Sequence, residues 1–401
     1  MAGATTEALA NNPGIQSALR KWNAARARVP QAKSWDDPRL SYDNVAGRFV
    51  AVPANAFTDQ SLTVEQILPV SGKNLSRSRI AAAEALVIYE EMRRAQLDVV
   101  SRLRAAWFQL ANSNRQMELN RENAASLSQI SEAAKSKYQS GTETAPGVLQ
   151  AEIESSRLEE EQLNIERARS EAQTQLNVLM NRPLNTPVVT ASQPSVPSFD
   201  IPEATLVQRL FASRPEVRAA QDQLEAERAR VQLAKREWIP DPAVNVNAQR
   251  YNGADQAVSQ VGAGISISIP WVNPRKYSEA VKEAQENTEA AAADLQRVEQ
   301  EALGMLRDQL KRIETARHHY DLFSGKILTQ ARQAFDAAQL GYSAGKISFA
   351  DWITAQRTRR DVETTAAQML ADYQTAIAEL EAIVGSELAA PKPSKPKPQR
   401  K

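Results

Sequence analysis

The 401-residue sequence has no cysteine, which excludes disulfides, thiolate zinc sites and a cysteine nucleophile. Its histidines are the adjacent His318 and His319 alone. Neighbours on a helix point about 100° apart, so they cannot form the i, i+4 pair of a zincin. Glycine is scarce at 14 residues, and no Gly-rich phosphate loop or G-x-S-x-G elbow occurs. Neither methionine nor cysteine clusters in a way that suits soft metals. Aromatics make up only 5%, and mean hydropathy is −0.48. No apolar run reaches the roughly 20 residues of a transmembrane helix. Lys+Arg 49 against Asp+Glu 48 leaves a net charge of +1 and no basic excess for nucleic acid. These absences point away from an enzyme and call for no cofactor or bound metal. Met1-Ala2-Gly3-Ala4 lacks the basic and apolar regions of a signal peptide, so the sequence is read as that of a mature chain.

What is abundant is Ala, Glu, Gln, Arg and Leu in long stretches, the composition of extended helices or coiled coils. An internal repeat spans nearly the whole chain. Pro13, Ala18, Ala24, Arg26, Ala27, Arg28, Val29, Ala32 and Lys33 recur as Pro215, Ala220, Ala226, Arg228, Ala229, Arg230, Val231, Ala234 and Lys235. The offset is 215 − 13 = 202. Each copy then reaches Trp35 or Trp238 and an Asp-Pro step, Asp37-Pro38 or Asp241-Pro242. Proline there stops the helix and sets its predecessor in extended backbone.

Alternation of period two follows: Leu40, Tyr42 and Asn44 in one half, Val244 and Val246 in the other. A second alternating run comes after a short loop and ends in Pro69 or Pro270. Strand pairs are therefore expected at 38–50 and 60–70, and again at 242–252 and 260–270. One aliphatic and one small-polar face suits a membrane β-barrel; an ordinary hairpin with one wet face has the same alternation.

Long helices are expected next, over 74–138 and 276–342, each on the order of 100 Å at 1.5 Å per residue. Leu97, Val100, Leu103, Trp107 and Leu110, and Leu295, Val298, Leu306, Leu310 and Ile313, form apolar stripes suited to helix packing. Both helices end in Tyr-x-x-Gly, Tyr138 to Gly141 and Tyr342 to Gly345. Return helices are expected over 145–181 and 348–384. The chain divides into a first repeat (1–182), a Pro-rich connection (183–212), a second repeat (213–385) and a disordered Lys/Pro tail (386–401). Four strands cannot close a barrel, so strands in a membrane would require two or more chains.

This order of elements, repeated twice, resembles the TolC-like outer membrane efflux proteins over almost the whole chain. Gly341-Tyr342-Ser343-Ala344-Gly345 with Asp351 is similar to that family's periplasmic tip, and residues 366–385 to its closing helix. The resemblance implies a mainly α fold with a small β part. Duplicated helical hairpins would form a trimeric α-barrel, and four strands per chain a shared 12-stranded outer-membrane β-barrel. It implies a homotrimer in outer-membrane lipid, docked through a periplasmic adaptor to an inner-membrane pump of the RND type. Such an assembly passively conducts metal cations or drugs.

By the same resemblance Tyr342 and Asp351 gate and line the channel entrance. Asp351 also suits the first turn of a helix, where a carboxylate favours the dipole. The family's latch acid, latch Arg and second entrance Asp fall on Gly147, Ile347 and Thr354. Glu143 and Lys346 stand near enough to substitute at the entrance, or are solvated tip charges. Tyr138, Gly141, Thr142, Gly147, Gly345 and Ser348 mark the adaptor-docking tips. Pro69, Gly72, Lys73 and Pro270 mark the strand-to-helix junctions. Pro69-Val70-Ser71-Gly72-Lys73 resembles a segment of the cation-efflux, CzcC-related branch, and equally serves to shape the bend. A soluble periplasmic adaptor or coiled-coil scaffold is the alternative, and it leaves the two strand pairs unexplained.

Overall fold

The computed structural model describes residues 1–45, 60–140, 145–190, 196–252 and 257–388. Helices α1 (Ala2–Asn11) and α2 (Pro13–Lys33) lead to strands β1 (Arg39–Asn44) and β2 (Gln60–Ile67). Helix α3 (Lys73–Gln139) and helix α4 (Ala145–Met180) follow. After α5 (Glu203–Ser213) the order recurs: α6 (Pro215–Glu237), β3 (Ala243–Asn252), β4 (Ala257–Ser266), α7 (Pro274–Asp321), α8 (Leu328–Ser343) and α9 (Phe349–Val384).

Local chemistry explains the breaks. Asn12 separates α1 from α2 because its Oδ1 accepts the N–H groups of Gly14, at 2.9 Å, and Ile15, at 3.3 Å, while Pro13 opens the new helix. The Pro-rich connection is not wholly irregular, since α5 lies within it. Its Leu206 and Leu210 are fully buried. The helix expected over 276–342 is interrupted by a π-type turn at Leu322–Ile327. There Gly325 weakens the ladder, and the Ser324 hydroxyl donates to the Tyr320 carbonyl at 2.7 Å. Residues 46–50 of the first expected strand, and 389–401 of the tail, lie outside the described residues.

The strands form one antiparallel sheet in the order β1-β2-β3-β4. Its register aligns Leu40, Val64, Val246 and Ala263 in one cross-strand row, and Tyr42, Leu62, Ala248 and Val261 in another. The alternate rows are polar: Ser41, Thr63, Asn247 and Gly262, then Arg39, Glu65, Asn245 and Gly264. One face is thus apolar and exposed, the other polar. The second strand of each pair ends short of expectation, at Ile67 and Ser266. Beyond them the Leu68 N–H still donates to the Pro242 carbonyl at 2.9 Å, whereas Pro270 opens a 3-10 turn through Val272.

Contacts divide the chain into two compact units, each drawing on both sequence repeats. The first unit comprises Met1–Ser17, Arg93–Pro215 and Gln300–Lys401; the second comprises Ala18–Met92 and Glu216–Glu299 and holds the sheet. Two apolar cores lie among the described residues of the first. One gathers Ala8, Leu103, Ala106, Leu110, Ala172, Leu176 and Met180; Leu103 and Leu110 belong to the stripe read from sequence. The other surrounds Tyr342. In the second unit Trp22 packs on Tyr89 with ring centroids 5.1 Å apart, and Arg230 pairs with Glu84 and Glu227.

Candidate functional site

The hairpin tip of the first unit is built around Tyr342. Helix α8 closes with two bonds: the Gly345 N–H donates to the Tyr342 carbonyl at 3.1 Å, and the Lys346 N–H to the Gly341 carbonyl at 2.8 Å. This is a Schellman turn with Gly345 at φ +72°. Ile347 then packs over Gly341, where a Cβ would lie 3.3 Å from its side chain.

The turn folds Tyr342 inward. Its ring stacks on Trp352 at 4.9 Å and meets Phe349 edge-on at 5.7 Å. With Leu127, Ile130, Ala134, Ala151, Leu158, Phe335 and Ile353 these rings form a buried cluster. Lys137, in the last turn of α3, lies 3.9 Å from the Tyr342 ring centroid and donates to the Tyr342 carbonyl at 2.7 Å. Sequence reasoning missed Lys137. Its signal was a basic residue in a C-terminal helical turn, which spacing does not distinguish from other surface lysines.

Asp351 is exposed and completes a capping box. Its backbone N–H donates to the Ser348 Oγ at 3.2 Å, and its Oδ2 accepts the Ser348 hydroxyl at 2.7 Å and backbone N–H at 3.2 Å. The helix-start reading of Asp351 therefore describes its contacts in one chain. Lys346 is exposed, Tyr138 is half-exposed, and Gly147 is buried near the start of α4. Gly141, Thr142 and Glu143 lie outside the described residues.

Behind the tip a polar layer ties α3, α4 and α9 together. The Glu154 carboxylate, 4% exposed, pairs with Arg357, with Arg157 at 3.0 Å and with Arg360 at 3.8 Å. Asn123 Oδ1 accepts from Gln356 at 3.1 Å and Arg359 at 3.3 Å, and Arg359 also lies over the Phe335 ring. These charges occur every three or four residues along helices, so the sequence alone reads them as a wet face.

The second unit holds the strand-to-helix junction. Gly72 turns the chain into α3 at φ +71°, and a Cβ there would lie 2.4 Å from Arg236 Nη1. That guanidinium donates to the Ser71 carbonyl at 2.8 Å. Asp241, just ahead of β3, accepts the Ser71 N–H and hydroxyl and lies 3.4 Å from the Lys73 ammonium. Burial pushes the Asp241 carboxyl up, but the Ser71 bonds and Lys73 outweigh it and hold it below the usual carboxylate range. Lys73 also lies 3.6 Å from Glu237. Pro69 precedes this clasp, and Pro270 is buried at the corresponding place in the second repeat. In sequence, Asp241 had been only the acid of an Asp-Pro helix stop.

Among the described residues no group of three His, Asp or Glu side chains could hold a metal ion. Among the same residues no helix is long and apolar enough to cross a membrane. The two-faced sheet is the element with a face suited to lipid. A family model described as outer membrane efflux protein matches residues 4–182 and 206–386.

The chain belongs to the outer membrane efflux protein family.

Among curated relatives, this efflux protein is similar to the cobalt-zinc-cadmium resistance protein CzcC of Cupriavidus metallidurans. The two are 22% identical over 359 residues, covering 88% of this chain and 81% of CzcC. It is 24% identical to the nickel and cobalt resistance protein CnrC of the same organism over 312 residues, 77% of this chain and 72% of CnrC. The solved outer-membrane channel OprN shares the fold, with a TM-score of 0.80 at 17% identity, covering 96% of this chain and 89% of OprN. The efflux protein is thus an outer-membrane channel-family member with a mainly helical fold. That sets aside the soluble adaptor or scaffold.

Proposed function

We propose that three copies of this efflux protein form one duct, in which each sequence repeat supplies two strands and one helical hairpin. The observation that carries this reading is the sheet. Its apolar face is exposed, and its outer strands β1 and β4 each have one partner strand among the described residues. Open edges are not tolerated in lipid, and four strands cannot close alone. Three copies give twelve strands, a closed barrel of ordinary size.

In this reading the helical hairpins form the periplasmic tunnel, and their tips meet a periplasmic adaptor that delivers substrate from an RND-type inner-membrane pump. Asp351, repeated around the axis, gives the entrance a cation-favouring field. Its capping box fixes the carboxylate while leaving it exposed. Divalent transition-metal cations are the proposed substrate, supported by the relatives' cobalt, zinc, cadmium and nickel resistance. Tyr342 acts by holding the tip's shape from inside the protomer. The duct involves no bond making or breaking.

The mass of the detergent-extracted protein tests the assembly. Three chains per particle are expected; a monomer that stays in solution without detergent would contradict it.

A further inference from the structure

The bend into the second long helix is built unlike the first. At the first, Lys73 lies 3.4 Å from Asp241 and 3.6 Å from Glu237, so its charge is met within the chain. At the second, 274 − 73 = 201 residues on, Pro274 stands in place of Lys73 and opens α7. An open groove of about 580 Å³ lies there between the end of α6 and the start of α7, a size in the range of small-molecule sites. Ala234, Trp238, Tyr277 and Val281 make its apolar walls, with the two aromatic rings edge to face at 5.3 Å. Lys235 and Arg275 line it as well, and no carboxylate does. Among the described residues neither cation has an ion-pair partner. The Lys276 ammonium adds a third positive charge, 5.5 Å from the Tyr277 ring centroid.

Apolar surface continues from this groove to the sheet. Ile269, Trp271 and Val272, between β4 and α7, are 52%, 57% and 78% exposed, and Ile265 leads from them onto the sheet's apolar face opposite Val244. A water-soluble occupant would leave those side chains in water. A purely apolar one would desolvate Lys235 and Arg275 without a counter-charge. We infer that the groove takes one phospholipid with an anionic headgroup, its phosphate between Lys235 and Arg275 and an acyl chain running past Trp238 and Ile269 onto the sheet. The inference deepens the duct reading, since it rests on that face meeting lipid, and adds a lipid class and the residues that select it.

Each part of the groove suits a lipid boundary. Trp and Tyr carry an apolar body and a polar tip, and so favour the level of the headgroups. Lys and Arg lay apolar stems along the surface while their charges reach the phosphate. Each cation near an anionic leaflet strengthens binding about fivefold. The first junction lacks the arrangement, because Asn74 and Ser76 stand where Arg275 and Tyr277 do, at the same offset of 201. Lipid selection therefore belongs to the second repeat, with one site per chain.

Trp238 permits a direct test. The detergent-extracted protein is titrated with phosphatidylglycerol or phosphatidylcholine carrying brominated acyl chains, which quench the fluorescence of a tryptophan they touch. Phosphatidylglycerol should half-quench at a concentration about 25-fold lower, from about fivefold for each of two cations. Lys235→Gln/Arg275→Gln should erase that gap; both side chains are exposed, so the variant should keep the wild-type melting temperature. Trp238→Phe should remove the part of the quenching that differs between the two lipids. Glycerol phosphate in excess should not displace the lipid. Equal quenching by both lipids, a gap that the double variant keeps, or displacement by the soluble phosphate would overturn the site. Particle mass of the same preparations separates the two claims. Trimers without a lipid preference remove the groove and leave the duct standing, whereas monomers with the preference remove the assembly and leave the groove.

Discussion

Ser71 donates both its backbone N–H and its hydroxyl to the Asp241 carboxylate, each at 2.8 Å, joining positions 170 residues apart. That pair closes the bend between sheet and long helix. Asp241→Asn should cost about 1–3 kcal/mol, since it discards the charge opposite Lys73 and leaves Ser71 with a poorer acceptor. The folded carboxyl sits below its unfolded value, so its contribution is complete above about pH 4 and is lost as pH falls through the depressed folded value. The gap in melting temperature between wild type and variant should therefore narrow below pH 4. A gap that widens on acidification would contradict the clasp.

Gly72 and Gly345 share a positive φ but differ in what surrounds them. A Cβ at Gly72 meets the Arg236 guanidinium, whereas nothing among the described residues lies within 4 Å of one at Gly345. Gly345→Ala should cost about 1 kcal/mol of backbone strain. Gly72→Ala should cost about 1 kcal/mol more, because it also displaces Arg236 from the Ser71 carbonyl. Thermal melts of the two variants in detergent check the order.

Glu154 is the buried partner of Arg157, Arg357 and Arg360, whose own side chains are 57%, 37% and 24% exposed. Water takes over much of their charge when the carboxylate is removed, so Glu154→Ala should destabilise by about 1–3 kcal/mol and loosen the tip. Trypsin cleavage after the exposed Lys346, read by mass spectrometry, should quicken with the loss of melting temperature. Unchanged cleavage with a lowered melting temperature would leave the layer a stability element without control of the tip.

Ser348 and Asp351 allow cap and charge to be separated. Ser348→Ala should cost about 1 kcal/mol of helix stability and leave ion selectivity unchanged. Asp351→Asn removes one carboxylate per copy, and should move the reversal potential in a KCl gradient toward zero. Equal selectivity in both variants would remove Asp351 from the entrance field.

Much of the fold was legible because its punctuation is local. Asp37-Pro38 and Asp241-Pro242 mark strand starts by backbone geometry alone, Pro69 and Pro270 fall shortly beyond the strand ends at Ile67 and Ser266, and the recurrence of Arg26 to Lys33 shows the duplication. The π-type turn at Leu322–Ile327 was not legible, since its residues keep an unbroken helical pattern. Nor was the inward packing of Tyr342, which depends on Phe349 and Trp352 arriving from the next helix. Asp241 shows the limit most clearly. Its proline neighbour reveals a break in the helix, but its partners Ser71 and Lys73 come from the other repeat and are brought near only by strand register.

Single-channel recording of the detergent-extracted protein in a planar bilayer tests the central claim most directly. A duct predicts discrete, cation-selective steps that multivalent cations block and Asp351→Asn relieves. Correctly assembled particles that leave the bilayer as insulating as lipid alone, under voltage and across pH, would contradict it.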